Sequence, residues 1–339
     1  MDDKKILEAL EEKLTGNIEE DFQFLIKEAN HFKSLGLIEM VNQTLRLLEK
    51  RYGDEAKQFL LNKAKDSFQK RKEMFQEVID LEKKKEYAKA QEQIVKLIDT
   101  FPINRPIKDN QQFVSFNNLF EHMYYDIHLN KERKVLLRLE EPYASYYFHL
   151  GYNLFYLEDY EETIKVLDTA IQYDGVFTDA YILQGESYLK LGNIEKFFLK
   201  IEKGLELSYN RFQIANCYYL LSKYFYDVND KKASLVCAYL SNSYIVSDQI
   251  QAMLKQINEM PGEAVNPTDV EEMKSVLENK KIQFGPNIKI LSTLKKISIE
   301  PKIQENPNLK RYFLTLLYDI SRDPKVKEEI DALPSEKNK

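Results

Sequence analysis

Residues 146–175 read YYFHLGYNLFYLEDYEETIKVLDTAIQYDG, and residues 180–209 read AYILQGESYLKLGNIEKFFLKIEKGLELSY. Tyr147 and Tyr181 correspond, as do Gly151 and Gly185, Leu157 and Leu191, and Asp174 and Ser208, each pair 34 residues apart. A fixed period of this length marks stacked helical hairpins, because one hairpin alone cannot bury its apolar face and needs its neighbours. Glycine costs about 1 kcal/mol inside a helix relative to alanine. Its use twice at one period implies a steric need, namely a close approach of two helices.

Outward from this pair the chain keeps reading as helix. It has 339 residues with only ten Gly and ten Pro, so it has few places to break. Residues 3–14 carry Ile6, Leu7, Leu10 and Leu14 on one stripe, and a second helix opens at Asn17, a favourable N-cap followed by Glu19, Glu20 and Asp21. SLG at 34–36 turns the chain into a helix lined by Val41, Leu45 and Leu48 that closes at Gly53. One long helix is expected from Asp54 to about Lys85, and another from Tyr87 through Leu97, stopped by Phe101-Pro102. A loop follows at 103–110. Phe113 to Leu129 then reads as an aromatic-rich helix, and Lys131 to Leu139 as a shorter one. Phe212 to about Tyr226 and Lys231 to about Val246 form one more pair. MPGEAVNP at 260–267 is the strongest linker signal. Helices are expected beyond it near 268–281, 286–298, 307–321 and 324–333.

The pair at 144–211 resembles tetratricopeptide repeats. Tyr147, Gly151, Leu154 and Ala170 fill that family's bulky and small positions in one unit; Tyr181, Gly185, Tyr188 and Gly204 fill them in the next. The match departs where Thr163 and Phe197 stand for alanine and where Gly175 and Tyr209 replace the closing proline. Fainter echoes lie at Val78, Ala90, Leu97 and Pro102, and at Ala29, Gly36 and Val41. The resemblance implies an all-α, right-handed superhelical α-solenoid of helical hairpins. It divides the chain into an N-terminal helical region at 1–70, a solenoid at 71–260, a C-terminal cap or fold-back region at 264–334 and a frayed tail at 335–339. It also places the first helix of each unit on a concave groove.

Charge and composition narrow the function. The net charge of −6 gives no footprint for a phosphate backbone, so nucleic acid is not expected as a partner. No run approaches the apolar length of a membrane span, and the start MDDKKILEALEEKLTG lacks a signal peptide's apolar core. Two cysteines, Cys217 and Cys237, imply no disulfide framework and suggest a reducing cytoplasm. His31, His122, His128 and His149 are scattered, without the three- or four-residue spacing of metal pairs on a helix. No phosphate-binding loop or nucleophile elbow occurs. The expectation is therefore no cofactor, no metal and no catalysis.

Aromatic residues are the remaining signal. There are 22 Tyr and 19 Phe, crowded between Tyr124 and Tyr160. By the family's geometry, Phe148, Tyr152, Phe155 and Tyr156 line the groove from one unit, Ile182, Glu186 and Leu189 from the next, and Asn216, Leu220 and Tyr224 from a third. Tyrosine suits such a surface, offering apolar area and a hydroxyl at little entropic cost. The expected function is a scaffold or adaptor that holds a protein or peptide segment, with homo-oligomerisation compatible. The alternative is a bacterial peptide-pheromone-type regulatory receptor, although residues 1–70 show no helix-turn-helix with a basic recognition face.

Overall fold

A computed structural model describes residues 3–100 and 107–334, so the expected stop at Phe101-Pro102, the first half of the 103–110 loop and the 335–339 tail lie outside the described residues. The chain forms two compact units, Met1–Glu77 and Val78–Lys339, the second holding both the repeats and the C-terminal helices.

The first unit contains α1 (Asp3–Glu11), α2 (Ile18–Ser34), α3 (Ile38–Tyr52) and the first part of α4 (Asp54–Lys83). Asn17 caps α2, its side chain accepting from the backbone N–H of Glu19 and Glu20. Gly36, at φ 75°, lets the chain reverse into α3. Leu10, Leu25, Phe32, Met40, Leu48 and Ala56 form the core of this unit.

The second unit opens with the last turns of α4 and with α5 (Tyr87–Thr100). Next comes an element the helical reading missed. β1 (Gln111–Val114) and β2 (Val135–Arg138) pair in parallel around α6 (Leu119–His128), with Gln111 opposite Val135 and Val114 opposite Arg138. The expected helix from Phe113 to Leu129 is thus correct only from Leu119, and the one from Lys131 to Leu139 is a strand. The start of α6 is set chemically. Asn118 accepts from the Glu121 N–H, and the Glu121 carboxylate reaches back to the Asn118 N–H, a capping box. Upstream of that cap, Gln111-Gln112-Phe113-Val114 is free to extend. In β2 the run Val135-Leu136-Leu137 favours an extended chain once it has a partner strand.

Three hairpins follow: α7 (Tyr143–Tyr156) with α8 (Tyr160–Tyr173), α9 (Thr178–Lys190) with α10 (Ile194–Leu207), and α11 (Arg211–Asp227) with α12 (Lys231–Tyr244). Their second helices start alike. Asp159, Asn193 and Asp230 cap α8, α10 and α12, accepting from the N–H groups of Glu162, Lys196 and Ala233. The glycines behave as their period implies. A Cβ on Gly151 would lie 2.8 Å from Leu167 Cδ2, and one on Gly185 would lie 2.7 Å from Ile201 Cδ1. Counted from the second-helix cap, Ser222 holds this place in the third hairpin and meets the other helix by hydrogen bonds. Its hydroxyl donates to the Ser234 carbonyl at 2.9 Å, and the Ser234 hydroxyl donates to the Ser222 carbonyl at 2.8 Å. Thr163 donates across the first hairpin to the Gly151 carbonyl at 3.4 Å. Cys217 and Cys237 are buried and unpaired on α11 and α12.

Beyond these lie α13 (Asp248–Glu259), a helix absent from the sequence reading, then α14 (Val270–Asn279), α15 (Ile288–Ser298), α16 (Pro301–Gln304), α17 (Pro307–Ser321) and α18 (Pro324–Asp331). This region packs on both the array and α6. The buried Tyr218 hydroxyl of α11 donates to the Gln283 carbonyl at 2.8 Å and accepts from the Gly285 N–H at 2.7 Å. His128 of α6 meets the Thr293 hydroxyl of α15 at 2.8 Å, and the Tyr312 hydroxyl of α17 donates to Asn118 Oδ1 at 3.2 Å.

Leu167 and Ile201 are fully buried and cannot swing clear of an added side chain. Gly151→Leu and Gly185→Leu should each destabilise by over-packing, by about 1–3 kcal/mol. Chemical denaturation of the two variants checks this, and an unchanged midpoint would refute the close crossing.

Candidate functional site

Helix α9 touches both α7 and α11, so the first helices of the three hairpins lie side by side. The ten groove positions divide sharply on this surface. Phe155, Ile182 and Leu220 are buried, at 8%, 3% and 2% exposure, and belong to the core rather than to an open face. Tyr224 is half-buried against Phe197, Phe198 and Phe225, with ring centroids at 5.7, 5.0 and 5.3 Å. Leu189 is half-buried beside the same core. Asn216 is exposed, and Glu186 is half-exposed. Burial raises the Glu186 carboxyl above its ordinary range, while Lys223 and Lys190 pull it back down.

The aromatic residues of α7 already have partners. Tyr156 stacks on Tyr87 of α5 at 4.5 Å with rings 8° from parallel, and Tyr152 meets both edge-on, at 6.2 Å from Tyr87 and 4.8 Å from Tyr156. Phe148 lies 4.9 Å from Phe177. Beside them, Glu82 in the last turn of α4 contacts His149 Nδ1 and accepts from Asn153 Nδ2, both at 2.8 Å. Burial and the hydrogen bond to Tyr156 raise the Tyr152 phenol, so it stays neutral. This cluster joins α5 to α7 and leaves Tyr156, at 47% exposure, as its open edge. Tyr87 was absent from the sequence-derived set. Helical periodicity assigns a residue to a face but does not say which helix that face meets.

A second cluster was not legible as a site. At the junctions between hairpins, Glu121 of α6 is 1% exposed and Asp174, the C-cap of α8, is fully buried. Their carboxyls share a hydrogen bond. Glu121 Oε2 accepts from the N–H of Asn117 and Asn118 at 2.8 and 3.2 Å, and its Oε1 accepts from the Tyr209 hydroxyl at 2.7 Å. Asp174 Oδ1 accepts from the Val176 N–H at 3.0 Å. Asn118 Nδ2 donates to the Tyr209 hydroxyl at 2.8 Å, and the Ser145 hydroxyl donates to Asn117 Oδ1 at 2.6 Å. Asp179 lies nearby, also raised by burial, with Gln213 Nε2 donating to it at 3.0 Å. Next to this cluster a Cβ on Gly175 would sit 2.8 Å from the Tyr125 ring, so the glycine admits α6. The Asn-x-x-Glu pattern at 118–121 is the one trace of this cluster in the sequence.

Burial, followed by the repulsion of Glu121, pushes the Asp174 carboxyl well above its ordinary range, and burial likewise raises Glu121. Among the described residues no group of three or more His, Cys, Asp or Glu could hold a metal ion. A cavity of about 220 Å³ lies between α10, α11 and the turn after α14, lined by Phe198, Ile201, Leu205, Leu221 and Ile282. Among the described residues no helix is long and apolar enough to cross a membrane. Neither the known protein families nor the curated proteins contain a match to this chain.

The raised carboxyls give the fold a pH dependence of definite sign. Their shared proton stabilises the native state fully below the unfolded value of about 4, and that stabilisation is lost as pH rises through the higher native value. Asp174→Asn keeps a hydrogen-bond donor toward Glu121 without a charge to form. The variant should gain in melting temperature over wild type as pH rises from 5 to 9, measured in parallel thermal melts. Curves that stay parallel across that range would exclude a shared proton.

Proposed function

We propose that the chain is a non-catalytic scaffold of tetratricopeptide type that holds a protein or peptide segment along the neighbouring faces of α7, α9 and α11. The observation that carries this reading is the adjacency of the three first helices, which present partly open polar and apolar side chains in series. Phe148 and Tyr152 lie on α7, Glu186, Leu189 and Lys190 on α9, and Asn216 and Lys223 on α11. The aromatic end is held rigid by Tyr87 and Phe177, which lowers the entropy a bound segment must overcome. The middle carries a half-buried carboxylate influenced by two lysines, a setting suited to a polar or basic side chain on the ligand. The buried, unpaired Cys217 and Cys237 support a cytoplasmic setting.

Selection from a phage-displayed peptide library, followed by calorimetry on the peptides recovered, tests the groove. Glu186→Arg and Asn216→Arg should each weaken those peptides by about tenfold or more, the scale of a truncated interface contact. Asn216 is exposed, so the melting temperature of Asn216→Arg should hold. A selection without binders, or binders indifferent to both changes, would remove the groove as the docking surface. Tyr152→Ala should instead lower stability, because the ring packs on Tyr87 and Tyr156. An aromatic pair is worth about 0.5–1.5 kcal/mol beyond its buried area.

A further inference from the structure

We infer that the outer edge of β2 is a second docking site, independent of the groove, and that it takes an extended acidic peptide as an added strand. The edge is defined by the phase of the ladder. The Val135 N–H bonds to the Asn110 carbonyl at 2.8 Å and the Leu139 N–H to the Val114 carbonyl at 2.9 Å, so alternate residues of β2 face β1. Leu136 and Arg138 therefore turn their N–H and C=O groups away from β1, and among the described residues neither backbone makes a hydrogen bond on that side. Each offers one donor and one acceptor, the arrangement that strand addition uses.

Charge decides the occupant. Lys131, Arg133 and Arg138 are exposed and form no ion pair among the described residues, while Lys134 is held by Glu132 at 2.9 Å. Four cations and only two acids, Glu132 and Glu140, lie between residues 131 and 140. A second copy would bring the same cations to the same edge and be repelled, whereas glutamates or aspartates on an incoming strand meet three unpaired partners. Val135, at 51% exposure, adds an apolar contact at the start of the strand. A hollow of about 320 Å³ lies at the turn that leads into β2, lined by Gln112 of β1, Tyr125 and Leu129 of α6, and Lys131 and Lys134 of the turn.

The test uses the whole protein and the fluorescein-labelled hexapeptide Val-Glu-Val-Glu-Val-Glu, followed by fluorescence anisotropy at low salt. Saturable binding is expected, weakened about tenfold or more by Arg133→Glu with Arg138→Glu and by added salt. Leu136→Pro removes the outward N–H without touching the ladder to β1, and should weaken binding similarly, while Leu136→Ala should not. On the unaltered protein, the same peptide N-methylated at alternate residues should lose binding, and the amides of Leu136 and Arg138 should gain hydrogen-exchange protection with the parent peptide. No binding at millimolar peptide overturns the inference. So does equal binding of the N-methylated peptide, or equal binding of a peptide with lysine in place of glutamate. A concentration-dependent dimer abolished by Leu136→Pro would overturn it in favour of a second copy.

Discussion

The architecture of the second unit depends on how closely two helices can cross within one hairpin. At Gly151 and Gly185 the partner side chain stands where a Cβ would be, so Leu167 and Ile201 press onto bare backbone. That contact fixes the separation and angle of each hairpin, and with them the spacing at which the next hairpin stacks. The third hairpin meets the same constraint by other means, with small Ala238 and two reciprocal serine hydrogen bonds in place of a glycine under a bulky residue. Tight crossing is common to all three, and glycine is only one way to achieve it.

The hairpins were legible for that reason. A steric demand repeated at a fixed interval leaves a repeated residue, and the second-helix caps at Asp159 and Asn193 punctuate it at the same interval. The two strands, Gln111–Val114 and Val135–Arg138, were not legible. They are four residues long, too short for alternation to separate from helical spacing, and each becomes extended only because the other is there to pair with it. The body of the helix between them was read from its aromatic residues, and only its start, set by the mutual capping of Asn118 and Glu121, was missed.

The aromatic surface shows what a face assignment leaves out. Tyr152 and Tyr156 were expected to line the groove, but the neighbour meeting them is α5, which brings Tyr87. Phe155, Ile182 and Leu220 belong to the inter-helix core. The more open positions on these first helices include polar ones: Glu186, Lys190, Asn216 and Lys223. A partner fitted to this surface would be read by charge and hydrogen bonding more than by apolar burial, and its affinity would depend on ionic strength.

The pairing of Glu121 with Asp174 bears on how such a chain can diverge. Two buried acids that hold one proton between them form a unit: replacing either with an apolar residue strands a charge or an amide donor among the groups that remain. Neutral substitutions are tolerable singly, as Gln or Asn, but a change of size or polarity at one position requires a matching change at the other, and again at Tyr209. A relative that changed size or polarity at one of these three positions would therefore carry a matching change at the others, so a correlated triplet at α6 and two hairpin junctions would mark descent alongside the repeat itself.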